Sequence, residues 1–259
     1  MQLANSQPIV EITNEKFTWS VSQTAFVYPY IQLKEAAFSS SKGAIFINIE
    51  NKFFKKFQAR NVFGVIKAKK ETDKTIIISA HYDHLGRMGK NTYFPGANDN
   101  ASGNGMLLSL AEKLLLNPLK KYNVIFIAFA AEEAGLIGSE FMVENPILPL
   151  KDVRFLLNLD IMGSGEEGIT VVNSTLFDKE YQLLCKLNNR KIALKQIKPR
   201  GPAANSDHYY FTQKGVPSFF IYTMGPNKHY HDVFDTYEEL SFNAFEPLSK
   251  LLTAFIRKL

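Results

Sequence analysis

From residue 61 onward, short runs of β-branched and apolar residues alternate with segments of helical periodicity, and few folds accept that alternation. Residues 61–67 and 75–80 have strand composition. Residues 123–130 (NVIFIAFA) form a continuous apolar run, as expected of a strand buried on both faces, and 153–159 and 216–222 look similar. Between them, residues 102–116 put Leu107, Leu110, Ala111, Leu114 and Leu115 on one helical face. The tail, 242–259, closes with an amphipathic helix whose buried side is Phe245, Leu248, Leu251, Leu252 and Phe255. The expected fold is α/β, with a mixed, mainly parallel central sheet flanked by helices. In such sheets, sites lie beyond the carboxyl ends of the strands. Residues 1–60 read instead as short strands and turns, with Ser39-Ser40-Ser41-Lys42-Gly43 as the clearest loop. No repeat or linker divides the chain, so this strand-rich segment is expected to pack on a single main domain, 61–259.

Composition narrows the chemistry. A chain of 259 residues, 46% hydrophobic, can bury one large core. Cys185 is the only cysteine, which excludes an intrachain disulfide framework and a cysteine-based zinc site. No apolar run is long enough for a membrane span. The first twenty residues carry no basic stretch followed by an apolar one, so no signal peptide is visible. The net charge of +5 is a mild excess. Basic residues are densest between Lys52 and Lys70, with Phe53, Phe54, Phe57 and Phe63 interleaved. That mixture invites a nucleic-acid reading, but no nucleic-acid module accompanies it. The expectation is a basic solvent face on strands whose aromatics point inward, with no nucleic-acid partner.

Three expected strands each deliver a histidine or carboxylate at the carboxyl end. Residues 75–80 run into His81-Tyr82-Asp83-His84, 123–130 into Glu132-Glu133, and 153–159 into Asp160. Adjacent strands lie ~4.8 Å apart, so these groups can converge. All five histidines fall in three clusters: His81 with His84, His208, and His229 with His231. Histidines clustered beside carboxylates at strand ends point to a metal. Asp99, within GANDNASG at 96, reads either as a ligand or as part of a turn and helix cap. Glu132-Glu133 reads either as an exposed helix start or as a charge pair facing a polar cleft or a cation.

The series HYDH at 81, GANDNASG at 96, AEEAGLIGSE at 131, NLDIMG at 158, SDH at 206 and YHDVFDT at 230 resembles the zinc aminopeptidases of peptidase family M28, over about residues 61–255. Residues 1–60 stand where that family carries N-terminal helices and an inserted domain, and match neither. The resemblance implies a zinc-exopeptidase (phosphorylase/hydrolase-like) fold and two Zn2+ per chain. His81 and Asp160 would hold one zinc, Glu133 and His231 the other, and Asp99 would bridge them. Glu132 takes the general-base position. Tyr230 takes a position that polarises the substrate carbonyl, or is an ordinary half-buried aromatic. Asp83 would orient the His81 ring; Asp235 would do the same for His231 or cap a turn. Ser206, Asp207 and His208 would line or brace the substrate pocket, while His84 and His229 match no ligand position. A cis peptide is implied between Asp99 and Asn100.

The implied activity is removal of N-terminal residues from peptides with a free α-amine, which Glu132 and Asp160 would recognise. A single-zinc glutaminyl cyclase on the same fold, another exopeptidase, and a non-catalytic binding protein are the alternatives. Family members are commonly exported or periplasmic, which makes a secreted or periplasmic location the expectation. Residue preference and oligomeric state are not legible.

Overall fold

The computed structural model describes residues 6–38 and 46–259, and the chain divides into two compact units, 1–58 and 59–259. The loop expected at 39–43 lies outside the described residues. In the first unit, β1 (Ile9–Thr13) and β2 (Tyr30–Lys34) pair in parallel, Ile9 opposite Tyr30. Glu11 accepts hydrogen bonds from Tyr30 and, at 2.8 Å, from Gln32 on the neighbouring strand.

The second unit is built on a seven-stranded sheet. Its strands are β3 (Val62–Ile66), β4 (Thr75–His81), β7 (Asn123–Phe129), β8 (Val153–Leu159), β9 (Gly168–Val172), β10 (Ile197–Pro199) and β11 (Ser218–Met224). A separate two-stranded hairpin, β5 (Arg87–Met88) and β6 (Thr92–Tyr93), follows β4. The sheet order is β10-β9-β11-β8-β4-β7-β3. Four neighbouring pairs are parallel; β9 with β11 and β3 with β7 are antiparallel.

Strand alternation feeds two cores. Ile76, Ile78 and Ala80 of β4 face one side, where they join α1 (Gly103–Leu116), α3 (Asp178–Leu187) and α5 (Phe245–Ile256). Ile77 faces the other, with Met142 and Val143 of α2 (Ile137–Glu144) and Phe211 of α4 (His208–Gln213). Both faces are covered, which is why β4, β7 and β8 are mainly apolar. Among the described residues, no helix is long and apolar enough to cross a membrane.

Two expectations need correction. Leu115 is 66% exposed, and Met106 takes its place in the buried stripe. Nine residues apart, Leu115 and Met106 stand on opposite sides of the helix. The aromatics between Lys52 and Lys70 do not point inward: Phe53, Phe54, Phe57 and Phe63 are all exposed. Residues 46–58 form no strand, and β3 is the edge strand of its sheet.

Candidate metal centre

β4 and β8 are neighbours, as are β4 and β7, so the three strand ends named by the sequence lie side by side. His81 is the last residue of β4 and is 1% exposed. Its Nδ1 lies 3.1 Å from the Asp83 carbonyl oxygen. A carbonyl only accepts, so the proton sits on Nδ1 and the Nε2 lone pair points away. That Nε2 faces Asp99 Oδ1 at 3.2 Å and Asp160 Oδ2 at 3.4 Å. A lone pair aimed at two carboxylates is repulsive unless a cation or an added proton stands between them.

A second cluster adjoins the first through Asp99. Its Oδ2 lies 3.3 Å from His231 Nε2, which is also 3.0 Å from Glu133 Oε2. Glu133 Oε1 lies 2.8 Å from His84 Nδ1. Ligand atoms of His81, Asp99 and Asp160 fall within 4.8 Å of one another, and so do those of His84, Asp99 and Glu133. His84, which matched no ligand position, is therefore part of the cluster. Its place three residues after His81, just beyond a strand end, was the available signal.

The backbone bends sharply to deliver these groups. Ala131, Ile161 and His231 have φ of 58°, 57° and 54°, each at or beside a clustered residue. For residues with a Cβ, that conformation costs about 1 kcal/mol apiece. The Asp99–Asn100 peptide is cis. Asn100 Oδ1 accepts from Gly103 and Ile161, and its Nδ2 donates to the Leu159 carbonyl, stitching the Asp99 turn to the end of β8.

Asp83 and Asp235 brace backbone. The Asp83 carboxylate accepts the N–H groups of Glu132 and Glu133 at 3.1 and 3.2 Å, while standing 3.7 Å from the His81 ring. Asp235 accepts from Asn98 N–H at 2.9 Å and Asp99 N–H at 3.0 Å, so of its two expected roles it fills that of turn cap. Ser206 is fully buried; it accepts from Asn158 and donates to Asp160 Oδ2 at 3.2 Å, ending a chain that begins at Ser79. Asp207 and His208 are buried as well, with the His208 ring against Phe220. Tyr230 is half exposed and stacks on His231, ring centroids 3.9 Å apart. His229 lies outside the cluster, 3.5 Å from Asp232.

Electrostatics follow from this crowding. Burial works against charge on His81, yet Asp160, Asp83 and Asp99 raise its pKa well above the usual value. His231 is likewise opposed by burial but raised to about 10 by Asp99 and Glu133. Burial pushes Asp99 up, and the hydrogen bonds from His231 and His81 overcome it and hold the carboxyl well below its usual range. Glu132 rises to about 9, first through burial and then through Asp160, Asp207 and Glu133, with His81 opposing. Among the described residues, the buried Asp160 Oδ1 has no hydrogen-bond partner. An all-N/O set of imidazoles and carboxylates with an orphaned carboxylate oxygen fits zinc.

Comparison with known proteins agrees with this chemistry. The model of Peptidase family M28 matches residues 61–256. Aminopeptidase YwaD of Bacillus subtilis is 30% identical over 217 residues, covering 79% of this chain and 46% of that protein. A probable leucine aminopeptidase of Trichophyton verrucosum is 27% identical over 236 residues, covering 85% and 62%. Among solved structures, the zinc aminopeptidase BSAP from Bacillus subtilis superposes with a TM-score of 0.64 at 28% identity, over 76% of this chain and 49% of that one. The chain spans about half the length of the curated relatives it matches.

Proposed function

The chain belongs to peptidase family M28, and from that membership we propose that it is a metal-dependent aminopeptidase with two zinc ions at the strand-end cluster. The observation that carries this reading is Asp99, whose two oxygens address different histidines, His81 and His231. His81 and Asp160 would hold one zinc and Glu133 and His231 the other, with Asp99 available to both.

Bound zinc supplies Lewis acidity, which polarises a carbonyl and makes water acidic near neutral pH. Glu132 takes a proton from the attacking water and passes it to the departing amine. The positive charge of His81 opposes the burial that raises the Glu132 carboxyl. Burial, then the carboxylates of Asp99, Glu133, Glu132 and Asp160, pushes the Tyr230 phenol up, so it stays protonated and can donate to the carbonyl oxygen. The free α-amine of the substrate pairs with Glu132 and Asp160. Asp83 and Asp235 fix the turns that carry Glu132, Glu133 and Asp99, and Ser206 steadies Asp160. The relatives named above are aminopeptidases, which lends no support to a single-zinc cyclase.

The test is hydrolysis of a panel of aminoacyl amides and their N-acetylated counterparts, with chelator and with zinc restored. Turnover of the free-amine set alone, lost on chelation and regained with zinc, is the expected result. Glu132→Gln should keep zinc and lose about 10²–10⁴-fold in turnover. Equal turnover of acetylated substrates, or none by zinc-loaded protein, would overturn the reading.

A further inference from the structure

His84 lies just beyond β4, with a side chain 10% exposed, and the ligand set proposed above gives it no part. Its Nδ1 is 2.8 Å from Glu133 Oε1, while the other oxygen of that carboxylate, Oε2, is 3.0 Å from His231 Nε2. The His84 ring meets the His231 ring edge-on, centroids 5.9 Å apart. Gly96, at φ +65°, closes against the ring: a Cβ there would stand 2.6 Å from His84 Cγ and Cδ2. A side chain at 96 would push against the ring and the Asp99 carbonyl. Among the described residues, the buried His84 Nε2 has no hydrogen-bond partner.

We propose that His84 is a positioning residue that makes Glu133 a single-oxygen donor to the second zinc; this rests on the two-zinc reading. As a zinc ligand Glu133 is a carboxylate, with one oxygen 2.8 Å from His84 Nδ1 and the other 3.0 Å from His231 Nε2. An ionised carboxylate only accepts, so the shared proton lies on His84 Nδ1. That bond commits Oε1 and leaves Oε2 on the side of His231 and Asp99, where the second zinc is placed. Donation through one oxygen leaves a coordination position open for water or substrate. Gly96 leaves the room that the His84 ring occupies beside Glu133.

A direct His84–zinc bond is the competing geometry, because ligand atoms of His84, Asp99 and Glu133 also lie within 4.8 Å of one another. The amide N–H of asparagine can replace the Nδ1–H donor but is a poor zinc ligand. The experiment is a competition titration of zinc into chelator-stripped full-length protein, comparing the parent with His84→Ala and His84→Asn. The parent should take up two zinc ions. His84→Ala should weaken the second by ~10-fold or more and leave the first unchanged. His84→Asn should recover most of that loss. Parent-like affinity in a folded His84→Ala would overturn the inference alone, as would a His84→Asn that loses as much as alanine. If the alanine variant does not fold, His84→Asn decides: near-parental second-site affinity supports positioning, and a tenfold loss overturns it. A parent that binds fewer than two zinc ions overturns the two-zinc reading, and this inference with it.

Discussion

At the residue scale, buried ionisable groups behind the cluster leave a signature in stability. Asp207 and His208 are adjacent and buried, and they pull in opposite directions. Burial pushes the Asp207 carboxyl from 3.8 up to about 7, and drives the His208 imidazole from 6.5 down to about 4. Folded Asp207 keeps a proton that the unfolded chain releases above pH 4, so its contribution falls as pH rises toward 7 and stays low above it. For His208 the unfolded chain binds a proton below 6.5 that the fold refuses, so stability is lost as pH falls toward 4. The two slopes largely offset. In chelator, Asp207→Asn should therefore gain melting temperature over the parent progressively from pH 4 to 7. His208→Phe should gain progressively from pH 6.5 down to 4. Each gap should reach several degrees, at roughly 2–4 °C per kcal/mol for a unit of this size. Melting profiles that run parallel to the parent at every pH would contradict the assignment.

At the element scale, the centre depends on turns as much as on strands. Strand ends bring His81, Glu133 and Asp160 close, but Asp83 and Asp235 hold the turns in place. Asp235→Ala removes the acceptor for the Asn98 and Asp99 N–H groups. It should cost about 3 kcal/mol in denaturant unfolding, given 1.5–3 kcal/mol per hydrogen bond to a charged group. Zinc affinity should fall with it, and unchanged stability and affinity would remove the bracing role. Sequence made the strands legible because β4, β7 and β8 are apolar on both faces and end in chemistry. It missed β9 and β10 and the helices α2, α3 and α4, which are short, and a run such as GITVV carries no periodicity to separate strand from helix. The partners of Asp83 were equally hidden. Two residues from His81, it invited a ring-orienting role, and its carboxylate stands 3.7 Å from that ring while also bonding backbone 49 and 50 residues away. Spacing along the chain carries no information about such a contact. His84 matches no ligand position of the family, and its contact with Glu133, 49 residues away, is not legible from spacing.

At the scale of the whole molecule, every residue of the proposed centre lies in the 59–259 unit, between His81 and Asp235. Residues 1–58 form a separate compact unit. The seven-stranded sheet has helices on both faces, and the carboxyl ends of its parallel strands β4, β7, β8 and β11 lie along one edge, the edge that carries the chemistry. The central claim is that this edge holds two metals with Asp99 between them. Its most direct test is anomalous scattering at the zinc edge from crystals of the zinc-loaded protein. Two peaks are predicted, one within bonding distance of His81, Asp160 and Asp99 Oδ1, the other of Glu133, His231 and Asp99 Oδ2. A single peak, or peaks that leave Asp99 uncoordinated, would contradict the account.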